Sequence, residues 1–161
     1  MPALLSAAPA FQPHWENHLE EWGTENPLYY NVMAEFATFL IDCYKSGSNE
    51  FFPAVFEQVE HLLREGSPEV QNIVKYGLLE DMQTVASHYP LGMDVFRQWL
   101  GPQALEAWEE IDTMFKRLFG EQAGTQASSV DADALVKSIE NSALQKMIKS
   151  MYRRFPTDTT A

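Results

Sequence analysis

Apolar residues recur every three or four positions through almost all of this 161-residue chain, and glycine or proline punctuates the pattern. That spacing puts apolar side chains along one side of an α-helix, and no stretch of convincing length alternates as a half-buried strand would. In HWENHLEEWG, Trp15, Leu19 and Trp22 form one stripe and Gly23 stops it. In NPLYYNVMAEFATFLIDCYKSG, Asn26 is placed to cap, Pro27 fits the first helical position, and Tyr29, Val32, Met33, Phe36, Leu40 and Tyr44 run on to Gly47. NEFFPAVFEQVEHLLREG carries Phe52, Val55, Phe56, Val59, Leu62 and Leu63 on one face and Glu57, Glu60, His61 and Arg64 on the other. Pro53 belongs in its first turn, where a missing N–H costs nothing. Gly66 closes that helix, and Ser67 and Pro68 open the next. A short helix in MDVFRQWL precedes QALEAWEEIDTMFKRLFG, where Leu105, Trp108, Ile111, Phe115, Leu118 and Phe119 face inward and Glu106, Glu109 and Glu110 outward.

Short connections make sequential helices antiparallel neighbours. The expected fold is all-α, a single-domain bundle of about six to seven helices. Its core domain spans 13–120, preceded by a flexible N-terminal arm at 1–12. The stretch 121–130, small, polar and without period, reads as a linker. A C-terminal helix at 131–155 carries Val136, Ile139, Ala143, Met147 and Met151 and ends in Lys146, Lys149, Arg153 and Arg154, leaving 156–161 as a tail.

One stretch, SPEVQNIVKYGLLEDMQ, resists this scheme. On an ideal helix Val70, Ile73, Val74 and Gly77 share one direction, while Leu78, Leu79, Met82, Val85, Ala86 and Tyr89 share another about 130° away. A straight helix would bury Asp81 in the first stripe, and an unpaired buried carboxylate is expensive. A break or kink at Gly77 removes the conflict and leaves Glu80 and Asp81 in the exposed first turn of a new helix, where acids suit the positive helix end.

The net charge of −12 is uneven: 19 acids stand against six Lys/Arg in residues 1–125, and four against five in 126–161. An acidic body disfavours nucleic acid and anionic membrane surfaces, which call for clustered cations. It favours encounter with a basic protein. The single cysteine, Cys43, rules out an internal disulfide, and no apolar run of about 18 residues exists to cross a membrane. The N-terminal MPALLSAAPAF has the small residues of a signal peptide but no basic start, so a cytoplasmic location is expected.

Catalytic signatures do not emerge. His14 and His18 are four apart, but Trp15 stands where the metalloprotease motif needs glutamate. Neither a phosphate-binding glycine loop nor a nucleophile elbow occurs, and Cys43 sits among apolar helix residues. No cofactor and no enzymatic activity are expected. The four tryptophans occupy core-compatible positions, although Trp also anchors interfaces.

The run FEQVEHLLREGSPEVQNIVKYGLLEDM resembles a single HEAT- or armadillo-type helical unit. Over about residues 28–112 the chain is also similar to small, acidic, helical bacterial proteins grouped with the immunity proteins of polymorphic toxins. Phe56, Glu60, Leu63, Gly66, Val70, Asn72, Gly77, Leu79, Glu80, Leu100, Gly101, Pro102 and Trp108 carry that likeness. It implies a non-enzymatic inhibitor that covers a toxin's active site. A helical scaffold or adaptor, able to dimerise, is the alternative, and an enzyme with a His/Glu metal site comes third. The expected contact face joins Glu57, Glu60, Glu80 and Asp81, with Glu106, Glu109 and Glu110 as a second patch facing a basic toxin domain.

Overall fold

Seven α-helices follow one another in the computed structural model, which describes residues 1–25, 27–89 and 92–119. They are α1 (Pro2–Ala7), α2 (Gln12–Trp22), α3 (Tyr29–Ser46), α4 (Phe52–Glu65), α5 (Pro68–Asn72), α6 (Glu80–Ser87) and α7 (Pro102–Phe119). A 3₁₀ turn at Pro9–Phe11 joins α1 to α2, a second at Asp94–Trp99 precedes α7, and a π-helical segment, Ile73–Leu79, links α5 to α6. No strand occurs among the described residues, so the fold is all-α. The expected linker, C-terminal helix and tail, and the capping role given to Asn26, lie outside the described residues.

The apolar stripes become the core. Val32, Met33, Phe36 and Leu40 of α3, Phe52, Val55, Phe56, Val59 and Leu63 of α4, and Trp108 and Ile111 of α7 are all buried. Pro53 occupies the first turn of α4, and the Ser67 hydroxyl accepts from the Val70 N–H to cap α5. At about 25 cal/mol per Å² of apolar surface, such stripes are the main source of stability.

Two expectations need correction. Residues 1–12 are not a loose arm: they form α1 and the first 3₁₀ turn, and Leu4, Ala8 and Phe11 are buried. Phe11 packs edge-on against Phe36 of α3 at 4.8 Å and α1 lies against α4, so the segment completes the core. Pro27 does not start α3 either. The helix begins at Tyr29, after Leu28 turns through a left-handed conformation at φ 43°, which a branched side chain adopts only under strain.

The chain does not break at Gly77. Its helical path runs from Pro68 to Ser87, and the Glu80 N–H donates to the Lys75 carbonyl, five residues back. A π turn holds one residue more than an α turn, which shifts everything after it by about 100°. That shift merges two stripes separated by about 130° on an ideal helix: Val74, Leu78, Leu79, Met82 and Ala86 are all buried. Gly77 is not needed for positive φ, which it lacks. It is needed for proximity, because a Cβ there would lie 3.1 Å from Met33 Cβ and 3.2 Å from Tyr30 Cδ1. The helix therefore lies tightly against α3, and a side chain at this point would press on Met33 and Tyr30.

Candidate functional site

The acids expected to form one face are divided by the fold. Glu57 and Glu60 line an open groove of about 730 Å³ between α4 and the approach to α7, with His61, Arg64, Trp99 and Gly101. Its inner wall is the Trp99 ring, stacked on Phe56 at 6.2 Å between centroids. Glu80 and Asp81 are not part of this groove.

Glu60 acts as a cap. Its Oε1 accepts from the Gln103 N–H at 3.0 Å and its Oε2 from the Ala104 N–H at 2.9 Å. It thereby satisfies two of the orphan donors at the start of α7, next to the positive helix end. Gly101 makes room for it, since a Cβ there would stand 2.6 Å from Glu60 Cδ. The triplet Leu100-Gly101-Pro102 and Glu60, 41 positions apart between Glu60 and Gly101 in the chain, are one structural device.

Glu80 and Asp81 are half-buried rather than exposed. The expectation of a dipole-favoured first turn fails because the helix is continuous through the π segment, so its backbone donors are already engaged upstream. On the re-phased helix Asp81 lies at the edge of the buried stripe, about 90° from its centre. No hydrogen bond or ion pair reaches its carboxyl among the described residues, and burial pushes its pKa up to about 6. Burial raises Glu80 as well, with a smaller contribution from the charge of Asp81.

The second patch is largely consumed. Glu109 accepts from Arg97 Nη1 at 3.1 Å, and Glu110 pairs with Lys75, tying α7 to the 3₁₀ turn and to the π segment. Glu57 and Glu106 are exposed and have no ion pair among the described residues.

The two histidines spaced four apart also divide. His14 is exposed and stacks on Phe11. His18 is buried, and both ring nitrogens face acceptors: Nε2 donates to the Pro27 carbonyl at 2.6 Å, and Nδ1 lies 3.1 Å from Glu35 Oε1. Its ring has no nitrogen left for a metal. No group of three or more His, Cys, Asp or Glu gathers for a metal ion among the described residues. None of the described helices is long and apolar enough to cross a membrane.

Trp22, expected in the core, is 47% exposed. Sequence reasoning missed that α2 turns His18 inward instead, and the signal was available: a polar histidine next to Leu19 and three positions from Trp15, with a glutamate, Glu35, on the next helix.

The family described as Domain of unknown function (DUF7674) matches residues 1–116, and the chain belongs to it. That span includes α1, in keeping with its buried place against α4. No match is found among curated proteins or among solved structures.

Proposed function

We propose that this member of the DUF7674 family is a non-enzymatic protein-binding module, an inhibitor of the immunity type that covers the active surface of a basic partner. The observation that carries this reading is an excess of unneutralised acid. Asp42, Glu65, Asp94, Glu109, Glu110 and Asp112 take the ion pairs with Lys or Arg. Twelve further acids in residues 1–119 have no such pair among the described residues, Glu57 and Glu106 being two that stand exposed. Neutralising surface acids internally would stabilise the fold by a few tenths of a kcal/mol each. Leaving them open produces a field of one sign that accelerates encounter with a cationic protein.

Capture experiments with the tagged protein test this. A basic protein should be retained at low salt and released as salt rises, and Glu57→Lys with Glu106→Lys should slow its association. The purified complex should show the partner's own activity suppressed. Retention of neutral proteins only, indifferent to salt, would refute the reading. A second reading, a self-associating helical scaffold, draws on the exposed Trp22, Tyr29, Tyr30, Tyr76 and Leu118. Sedimentation at several concentrations tests the scaffold, since a monomer at every concentration would refute self-association.

A further inference from the structure

The N-terminal third of the molecule combines two features that neither acidic patch has. Four rings run in sequence across α2 and the start of α3: Trp22 to His18 at 6.4 Å between centroids, His18 to Trp15 at 6.1 Å, and Trp15 to Tyr29 at 6.4 Å. The outer two, Trp22 and Tyr29, are 47% and 41% exposed. Around them the charge is of one sign. Residues 1–44 contain Glu16, Glu20, Glu21, Glu25, Glu35 and Asp42, and not one Lys or Arg. The first Lys or Arg, Lys45, lies at the far end of α3 and is paired with Asp42.

We infer that this ladder is the docking face for an arginine-bearing segment of a protein partner. The inference rests on the protein-binding reading above and says where contact is made and by what chemistry. A guanidinium is planar and weakly hydrated, so it stacks on ring faces while its N–H fork pairs with carboxylates. Here Trp22 and Tyr29 supply the ring faces, and Glu21, Glu25 and Glu35 the acceptors. Buried Trp and Tyr anchors carry a large share of interface energy elsewhere.

The face is also held in place before any partner arrives. His18, pinned between the Pro27 carbonyl and Glu35, fixes the middle of the ladder. Leu28, held at φ 43°, sets the entry to Tyr29. Rigid anchors lose less freedom on binding. A lipid headgroup layer is a poor fit, because its anionic surface would meet only acids.

The full-length protein can be titrated with short peptides in which Gly alternates with Arg, Lys or Glu, while the indole N–H signals of its four tryptophans are followed by NMR. The expected result is saturable movement of the Trp15 and Trp22 signals with the Arg peptide, weaker movement with Lys, none with Glu, and still signals from Trp99 and Trp108. Trp22→Ala with Tyr29→Ala should lower the Arg-peptide affinity about tenfold at unchanged helical content. Tyr29→Phe, which keeps the ring, should leave affinity intact. Movement of Trp99 instead, or unchanged affinity in the double variant, overturns this face while sparing the wider reading, which would then be carried by the α4–α7 groove. Absence of saturable binding at low salt overturns the docking face. The wider reading then stands or falls on the capture experiment with Glu57 and Glu106. A concentration-dependent dimer abolished by the double variant would assign the face to a second copy and overturn the proposal.

Discussion

Glu60 and Asp81 are both half-buried carboxylates on the flanks of apolar helix stripes, yet their surroundings are opposite. Glu60 receives two backbone N–H donors from the start of α7. Asp81 receives none among the described residues, and burial pushes its pKa to about 6. The first carboxylate joins two helices; the second is tolerated at the margin of a re-phased one. In an acidic chain the number of acids therefore says little about their roles. What decides is whether the fold aims donors at them, and that depends on which helix end approaches.

The two regions also close on each other differently. At Gly101 the missing side chain makes room for a hydrogen-bonded carboxylate, and at Gly77 it makes room for α3. The largest effect is expected from Gly77→Leu. Its side chain has no space against Met33 and Tyr30, and overpacking of this kind destabilises by about 1–3 kcal/mol or more. Urea unfolding should show the midpoint fall with the slope retained. A midpoint unchanged from the parent would mean that the helix and α3 are not in close contact.

Next in size is the loss of the cap. Glu60→Ala strips two charge-assisted hydrogen bonds from the α7 terminus, for an expected loss of about 1–3 kcal/mol in chemical denaturation. Glu60→Gln, which keeps one acceptor oxygen, should recover part of it. Equal stability of both variants and the parent would place Glu60 among the free surface acids, as the sequence alone suggests.

The π segment offers a sharper contrast. Deleting the exposed Tyr76 removes the one surplus residue, so an ordinary α-helix would carry both stripes in phase. Deleting Glu57 from α4, which has no surplus, would rotate Val59 and Leu63 out of the core by about 100°. The Tyr76 deletion should fold with a sharp thermal transition, whereas the Glu57 deletion should lose it. If both deletions behave alike, the π turn does not act as a phase corrector.

These contrasts mark what periodicity can and cannot reveal. The stripes of α3, α4 and α7 were legible because each face is decided by its own residues. The phase conflict at Gly77 was legible too, but two backbones resolve it, a break or a π turn. Glycine suits either, and only the contact with Met33 and Tyr30 selects. Burial of α1 and His18, and the capping by Glu60, depend on residues of other elements, as far apart as Glu60 and Ala104, beyond the reach of a local pattern. The candidate site shares that limit: Glu57 and Glu106 stay exposed, while Glu109 and Glu110 find cations on other elements.

The smallest effect tests Asp81 by its sign. Its folded pKa of about 6 lies above the ordinary 3.8, so folding favours the protonated acid. That contribution is fully present below about pH 4, fades as pH rises through the window to about 6, and becomes a constant penalty above it. The full shift would correspond to about 3 kcal/mol, which partial access to water reduces to about 1 kcal/mol. Asp81→Asn should therefore stabilise the protein at pH 7 by about 1 kcal/mol and bring no gain at pH 4. Glu60→Gln should do the opposite at pH 7, since it weakens a carboxylate that the fold uses in its charged form. Destabilisation by both substitutions at pH 7 would show that Asp81, like Glu60, has donors of its own, and the distinction between the two carboxylates would disappear.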